Sequence, residues 1–252
     1  MKKVFGIGII LLLMLVLAAC GNETEEKAVS NENNKKTVHK DEDATEDEEL
    51  NDPLDILNHL ATQSVETDEL YVTDDIVIGE NEEVKPGIYV LEITGGSGNI
   101  FGERSSVPAM SINWVGGAKG NGGDYPTEIR MILFKGDTLE FLDISKVKFN
   151  AVPEKVEPSN ELGIGDFIVG RDILPGDYKL STNAKLSTEF DNLGWDISIY
   201  NDESGQSREQ TFTSSNDDVV VKLKEGEVIS IYYDNTDYGS SSDDARLIFS
   251  EL

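Results

Sequence analysis

The groups in this chain that could do chemistry make a short inventory: one thiol, two imidazoles and a large surplus of carboxylates. The thiol, Cys20, sits in the stretch Val16-Leu17-Ala18-Ala19-Cys20-Gly21-Asn22. It closes an apolar run from Val4 to Ala19 that is preceded by Lys2 and Lys3. A cationic start, an apolar core and small residues at its end form an export signal. The run has 16 residues, fewer than the roughly 20 that a membrane-spanning helix needs. An exported thiol meets an oxidising compartment, so an unpaired cysteine at this position needs a covalent fate.

The remaining nucleophiles and acids form no catalytic set. Both histidines, His39 and His59, precede the strand-like region from Tyr71 to Leu252. A Ser-His-acid triad is therefore excluded there, and with Cys20 the only cysteine no zinc site is expected. Ser145 and Lys148 stand three apart, the spacing found in penicillin-binding enzymes, but the Ser-Asp-Asn and Lys-Thr-Gly partners are missing. SKVKF also alternates like a strand, which turns Ser145 and Lys148 to opposite faces. The glycine-rich stretch 95–106 lacks the lysine and helix opening of a phosphate loop, and 116–126 reads likewise as a connection. Residues 201–205 (NDESG) and 233–244 (YDNTDYGSSSDD) offer oxygen ligands of the kind calcium takes. The second departs from the EF-hand spacing at Thr236 and Tyr238. Solvated acidic loops are expected, with calcium the one inorganic partner their composition suits. No residue is assigned a catalytic, cofactor-binding or metal-binding role. Trp114 and Trp195, each near glycines at the edge of a strand-like segment, are either core residues or binding aromatics that stack on a sugar or anchor a peptide.

The residues around Cys20 carry a resemblance. Leu17-Ala18-Ala19-Cys20 resembles the lipobox of bacterial lipoproteins. The resemblance implies that the Cys20 sulfur receives diacylglycerol and that residues 1–19 are removed as a signal peptide. It places the chain at the cell membrane, lipid-anchored on the extracytoplasmic face. Two acyl chains hold a protein stably where one holds it marginally.

Residues 20–51 follow as an acidic segment with no aromatic residue. It cannot bury enough apolar surface to offset its ordering entropy, and it is expected to be a disordered, self-repelling tether. Residues 52–68 suit a short helix: Leu54, Ile56, Leu57 and Leu60 recur at helical spacing, with Asp52-Pro53 as cap and first residue. The whole chain carries a net charge of −28. That excludes nucleic acid as a partner and a broad basic face on anionic lipid.

What must position any site is a repeated β plan. IVIGENEEVKPGIYVLEI and FIVGRDILPGDYKLST share a strand ending in glycine (Gly79, Gly170), then Pro-Gly-x-Tyr (Pro86 to Tyr89, Pro175 to Tyr178). Gly136 and Gly226 then fall 49 and 50 residues after Gly87 and Gly176. The pattern predicts an all-β fold of two tandem antiparallel β-sandwich or jelly-roll-like modules, 69–158 and 159–252. Pro-Gly reads as a type II turn with positive φ at Gly87 and Gly176, and Gly136 and Gly226 as hairpin reversals. The phrase resembles small repeated β modules of uncharacterised Gram-positive surface lipoproteins, which implies an exported β protein and transfers no activity. The expected function is non-catalytic: binding, adhesion or envelope maintenance at the surface, toward a protein or glycan. The alternatives are a ligand-binding accessory of a transporter or sensor, and a secreted carboxylate-dependent hydrolase.

Overall fold

Alternating apolar residues and glycine-marked reversals set most of the described chain as strand. The computed structural model describes residues 52–252 except 81–82, 108–109, 122, 203 and 235–240. The expected export signal and tether, with Cys20, lie outside the described residues.

The first element is α1 (Pro53–Thr62), whose N-cap Asp52 accepts a hydrogen bond from the Leu54 N–H at 2.8 Å. Leu57, Leu60 and Ala61 form its buried stripe. Six strands follow in a first half: β1 (Leu70–Tyr71), β2 (Ile76–Val77), β3 (Gly87–Glu103), β4 (Ile112–Gly117), β5 (Glu128–Leu133) and β6 (Thr138–Ala151). The second half holds β7 (Glu161–Leu162), β8 (Gly165–Ile168), β9 (Gly176–Thr182), β10 (Gly194–Asn201), β11 (Gln206–Thr213), β12 (Val220–Leu223), β13 (Val228–Asp234) and β14 (Leu247–Glu251). They make two sheets. Ten strands share one, with path β1-β6-β3-β5-β8-β13-β10-β11 and with β2 on β6 and β4 on β3; the other runs β12-β9-β14-β7.

The two halves repeat each other in register. Gly87 pairs with Leu133 as Gly176 pairs with Leu223. Ile76 pairs with Leu139 as Phe167 pairs with Ile229. Leu91 pairs with Phe149 as Leu180 pairs with Phe249. Local bonds repeat too. The Tyr89 hydroxyl donates to the Lys85 carbonyl and the Tyr178 hydroxyl to the Leu174 carbonyl, both at 2.8 Å. Each ring meets a phenylalanine edge-on, Phe149 at 5.7 Å and Phe249 at 5.9 Å. After the hairpin glycines, Asp137 accepts from the Phe134 N–H at 2.9 Å and Glu227 from the Lys224 N–H at 2.8 Å.

The positive φ expected at Gly87 and Gly176 is corrected. Positive φ belongs instead to Gly79 (78°) and Gly170 (94°), and to the hairpin glycines Gly136 (86°) and Gly226 (78°). Gly87 and Gly176 are the first residues of β3 and β9. They are glycine for steric reasons. The tyrosine two residues on reaches back four residues with its hydroxyl, so its ring lies over the glycine Cα. A Cβ on Gly87 would stand 2.9 Å from Tyr89 Cε2 and 2.8 Å from Ser64 Cα; on Gly176 it would stand 3.2 Å from Tyr178 Cε2.

Three apolar clusters fill the fold. One draws on both sheets of the second half, with Trp195, Ile197, Ile229 and Ile231 from one and Tyr178, Leu180, Leu247 and Phe249 from the other. A second fills the first half around Tyr89, Ile100, Trp114 and Phe149. The third packs Leu57 and Leu60 of α1 on Ile88 and Ile132 of the first half and Ile168 and Val228 of the second. The helix thus covers the joint, and its apolar stripe finds the tertiary partner that a helix this short needs.

Candidate functional site

The joint between the halves is built from charge. β5 and β8 meet in parallel at Arg130 and Gly165, and the Arg130 N–H donates to the Ile164 carbonyl at 3.2 Å. The Arg104 guanidinium contacts Asp137 of its own half at 2.9 Å and Asp166 of the other at 3.2 Å; all three side chains are buried. Arg104 also donates to the Ile132 carbonyl. Arg130 bonds the Asp172 carboxylate at 2.6 Å and the Asp166 carbonyl at 3.1 Å. Arg171 ties down the connecting segment through the Glu154 and Pro153 carbonyls. Burial pushes the Asp166 carboxyl above its ordinary value, against the pull of Arg104 and the Ser230 hydroxyl. At the far side, both oxygens of Asp243 accept from Thr127, at 2.7 and 2.9 Å.

Above this floor the halves leave a cleft of about 840 Å³. One wall is the outward row of the second half. In β10, Trp195, Ile197 and Ile199 enter the core, so Asp196, Ser198 and Tyr200 face out. The same alternation turns Ser230 and Tyr232 outward in β13, and Ser207, Glu209 and Thr211 line the wall from β11. The opposite wall is first-half residues such as Asn99, Ser111, Asn113, Trp114 and Tyr125. Trp114 stacks on Tyr232 across the joint, with centroids 4.0 Å apart and planes at 13°. Burial, then the charge of Asp166, pushes the Tyr232 phenol far above the ordinary tyrosine value, so it stays neutral. The Ser230 hydroxyl donates a hydrogen bond to Asp166 Oδ1 at 2.6 Å, which leaves its oxygen lone pairs free to accept.

The tryptophans are placed inside the fold. Trp195 is fully buried and donates from Nε1 to the Thr182 hydroxyl at 3.1 Å. Trp114 is 1 % exposed. Neither ring face is free for a sugar, so of the two alternatives both tryptophans take the core one; Trp114 nevertheless lines the cleft. Ser145 and Lys148 both lie on β6, and Lys148 pairs with Glu66 at 2.7 Å. His59 lies on α1 and is exposed. Of the acidic loops, Asn201 accepts from the Ser204 N–H and Asp202 from the Tyr200 hydroxyl, an internally bonded hairpin turn. Residues 235–240 lie outside the described residues. Among the described residues, no group of three or more His, Cys, Asp and Glu side chains is placed to hold a metal ion.

Asp196, Glu209, Ser230 and Tyr232 were not singled out by sequence reasoning. The signal was present in WDISIYN, where polar and aromatic residues occupy the outward alternation of a core strand. Compared with known protein families, with curated proteins and with solved structures, the chain matches none.

Proposed function

We propose that this chain is a lipid-anchored, non-catalytic binding protein of the extracytoplasmic membrane face, and that its ligand occupies the cleft between the halves. The observation that carries the binding reading is the cleft itself. Its walls mix aromatic rings, hydroxyls and carboxylates at a joint between two β units, the usual setting of a ligand site. The anchor rests on the lipobox resemblance at Leu17-Ala18-Ala19-Cys20, and the acidic tether would hold the folded part clear of the lipid.

We read each half as a jelly-roll-like module. With the eight strand segments of each half numbered along the chain, β3 and β6 counting twice, both halves follow the orders 1-8-3-6 and 2-7-4-5. Two four-stranded sheets interleaved in this way are the jelly-roll arrangement. The fold carries no activity with it.

Two experiments test the reading. Cys20→Ser is expected to abolish incorporation of labelled fatty acid and release the protein from the membrane; equal label in both forms overturns the anchor. A screen of neutral, cationic and anionic glycans and peptides against isotope-labelled protein is expected to shift resonances of Asp196, Ser230 and Tyr232. A screen that leaves these unshifted removes the cleft as a binding site.

A further inference from the structure

We infer that the cleft takes an amine-bearing sugar. This rests on the cleft being the binding site and specifies the chemistry it accepts.

The first argument is sign. Asp196, Glu209 and Asp234 line the cleft, and no Lys, Arg or His is among its described lining residues. Asp196 lies opposite Thr211, and Ser198 opposite Glu209. Asp196 and Glu209 are therefore diagonal neighbours on adjacent strands, roughly 7–8 Å apart. Two like charges so placed repel each other, and a cation between them relieves the repulsion. A phosphate or carboxylate ligand would add to the repulsion instead.

The second argument counts donors and acceptors. The three carboxylates and the Ser230 oxygen present acceptors. The Trp114 Nε1–H is the opposite case: a buried donor with no hydrogen-bond partner among the described residues. Leaving a buried donor unmade is unfavourable. An ammonium can satisfy the carboxylates but has no lone pair for Trp114. A hydroxyl can do both, accepting from the indole and donating to an acid. A ligand with hydroxyls and at least one ammonium meets these acceptors and this donor, and the exposed ring of Tyr125 and the half-buried ring of Tyr232 supply apolar surface for a sugar's C–H faces.

The test measures binding of three probes to the full mature chain: a glucosamine tetramer, its N-acetylated counterpart and an oligolysine of equal charge. The glucosamine tetramer is expected to bind 1:1 and to weaken with salt. Glu209→Gln and Asp196→Asn, at exposed positions, are each expected to weaken it roughly threefold to fivefold. Trp114→Phe deletes the donor but also trims a buried indole, so the cavity left should lower the melting midpoint. Affinity is therefore compared at a temperature where both proteins are fully folded. There the glucosamine tetramer should bind the variant more weakly, while equal affinity overturns the role of the indole N–H. If the acetylated tetramer binds as tightly as the amine, the cationic requirement is overturned and the cleft stands as a binding site. If oligolysine binds as tightly, the sugar is overturned. If none of the three binds, this inference fails, while the binding reading fails only if the broader screen also leaves the cleft unshifted.

Discussion

The two halves place a carboxylate at the same hairpin position and then use it differently. Asp137 and Glu227 both follow a hairpin glycine, and both accept the N–H of the residue three before them. Each meets an arginine that also donates to the carbonyl five residues before that acid, Arg104 to Ile132 and Arg208 to Lys222. The arginines come from different places. Arg104 follows β3, at the position that Asn201 holds in the second half, and Asn201 contacts Glu227 at 3.4 Å. Arg208 reaches in from β11. In the first half the clamp is buried and reaches Asp166 in the neighbouring half, whereas Arg208 is 41 % exposed and serves Glu227 alone among the acids in its described ion pairs. Asp75, the counterpart of Asp166, is exposed. The same hairpin device is thus an internal weld in one half and, in the other, a contact reached from the surface by a half-exposed arginine. The free edge teaches the same lesson. β12 is the counterpart of β5, but Val220 stands where β5 has Arg130, and Lys222 where it has Ile132. An edge so changed cannot repeat the joint, and its lysine discourages further strand pairing.

Breaking the two clamps separately sharpens that contrast most. Arg104→Ala leaves Asp137 and Asp166 buried without their cation and is expected to destabilise the protein by about 3–5 kcal/mol. Arg208→Ala also leaves a buried carboxylate, Glu227, without its cation, but Glu227 keeps the Lys224 N–H and Asn201 and water can enter where the half-exposed guanidinium was, so it is expected to cost less, about 2 kcal/mol. Urea melts of both variants measure the difference, and equal costs would mean that the first clamp is no weld.

The glycines before the tyrosines come next. Gly87→Ala forces a methyl against the Ser64 backbone and is expected to cost about 1–3 kcal/mol. Gly176→Ala meets only the Tyr178 ring at 3.2 Å or more and should cost well under 1 kcal/mol. Thermal midpoints that fall equally would show the ring, rather than Ser64, to be the common obstacle.

Acidity separates the halves by sign. Burial opposes ionisation of Glu227, but Arg208, the Lys224 N–H and Asn201 prevail and hold its carboxyl below the ordinary 4.5. Its contribution is present above that value and lost as pH falls through the native one. Asp166 is raised above 3.8, so its contribution is present below that value and lost as pH rises through the native one. Glu227→Gln should therefore flatten the acid limb of the stability profile, and Asp166→Asn should remove a loss on the rising side. Stability measured across pH 3–7 in roughly half-unit steps would show these slopes; like changes from both variants would contradict the contrast. The smallest effect is expected at the rim: Asp218→Asn breaks the exposed pair with Lys179 and should leave the melting midpoint unchanged.

Local chemistry was legible in the chain itself. The repeat could be read because a hairpin glycine and a Pro-Gly-x-Tyr phrase leave a signature of a few residues, and α1 because Asp52-Pro53 and the spacing of Leu57 and Leu60 are local signals, although Ile56, expected on the same stripe, is exposed. The expectation for Gly87 and Gly176 located a constraint at the correct residues and named the wrong cause. The composition Pro-Gly suits a positive-φ turn, while the crowding comes from a tyrosine ring and from Ser64, 23 positions away. The tryptophans show the same limit, since glycine neighbours mark a strand edge but do not say what covers the ring.

Sequence alone determined the doubled β plan and the acidity, because strand alternation, charge and turn residues act over a few positions. Tertiary structure alone decided the joint and the cleft. Arg104 finds Asp166 across 62 positions, Ser230 finds Asp166 across 64, and Trp114 reaches Tyr232 only because β5 and β8 bring the halves edge to edge. Such contacts depend on which outward faces come together, and an outward face reads as ordinary polar surface until a second one is set against it.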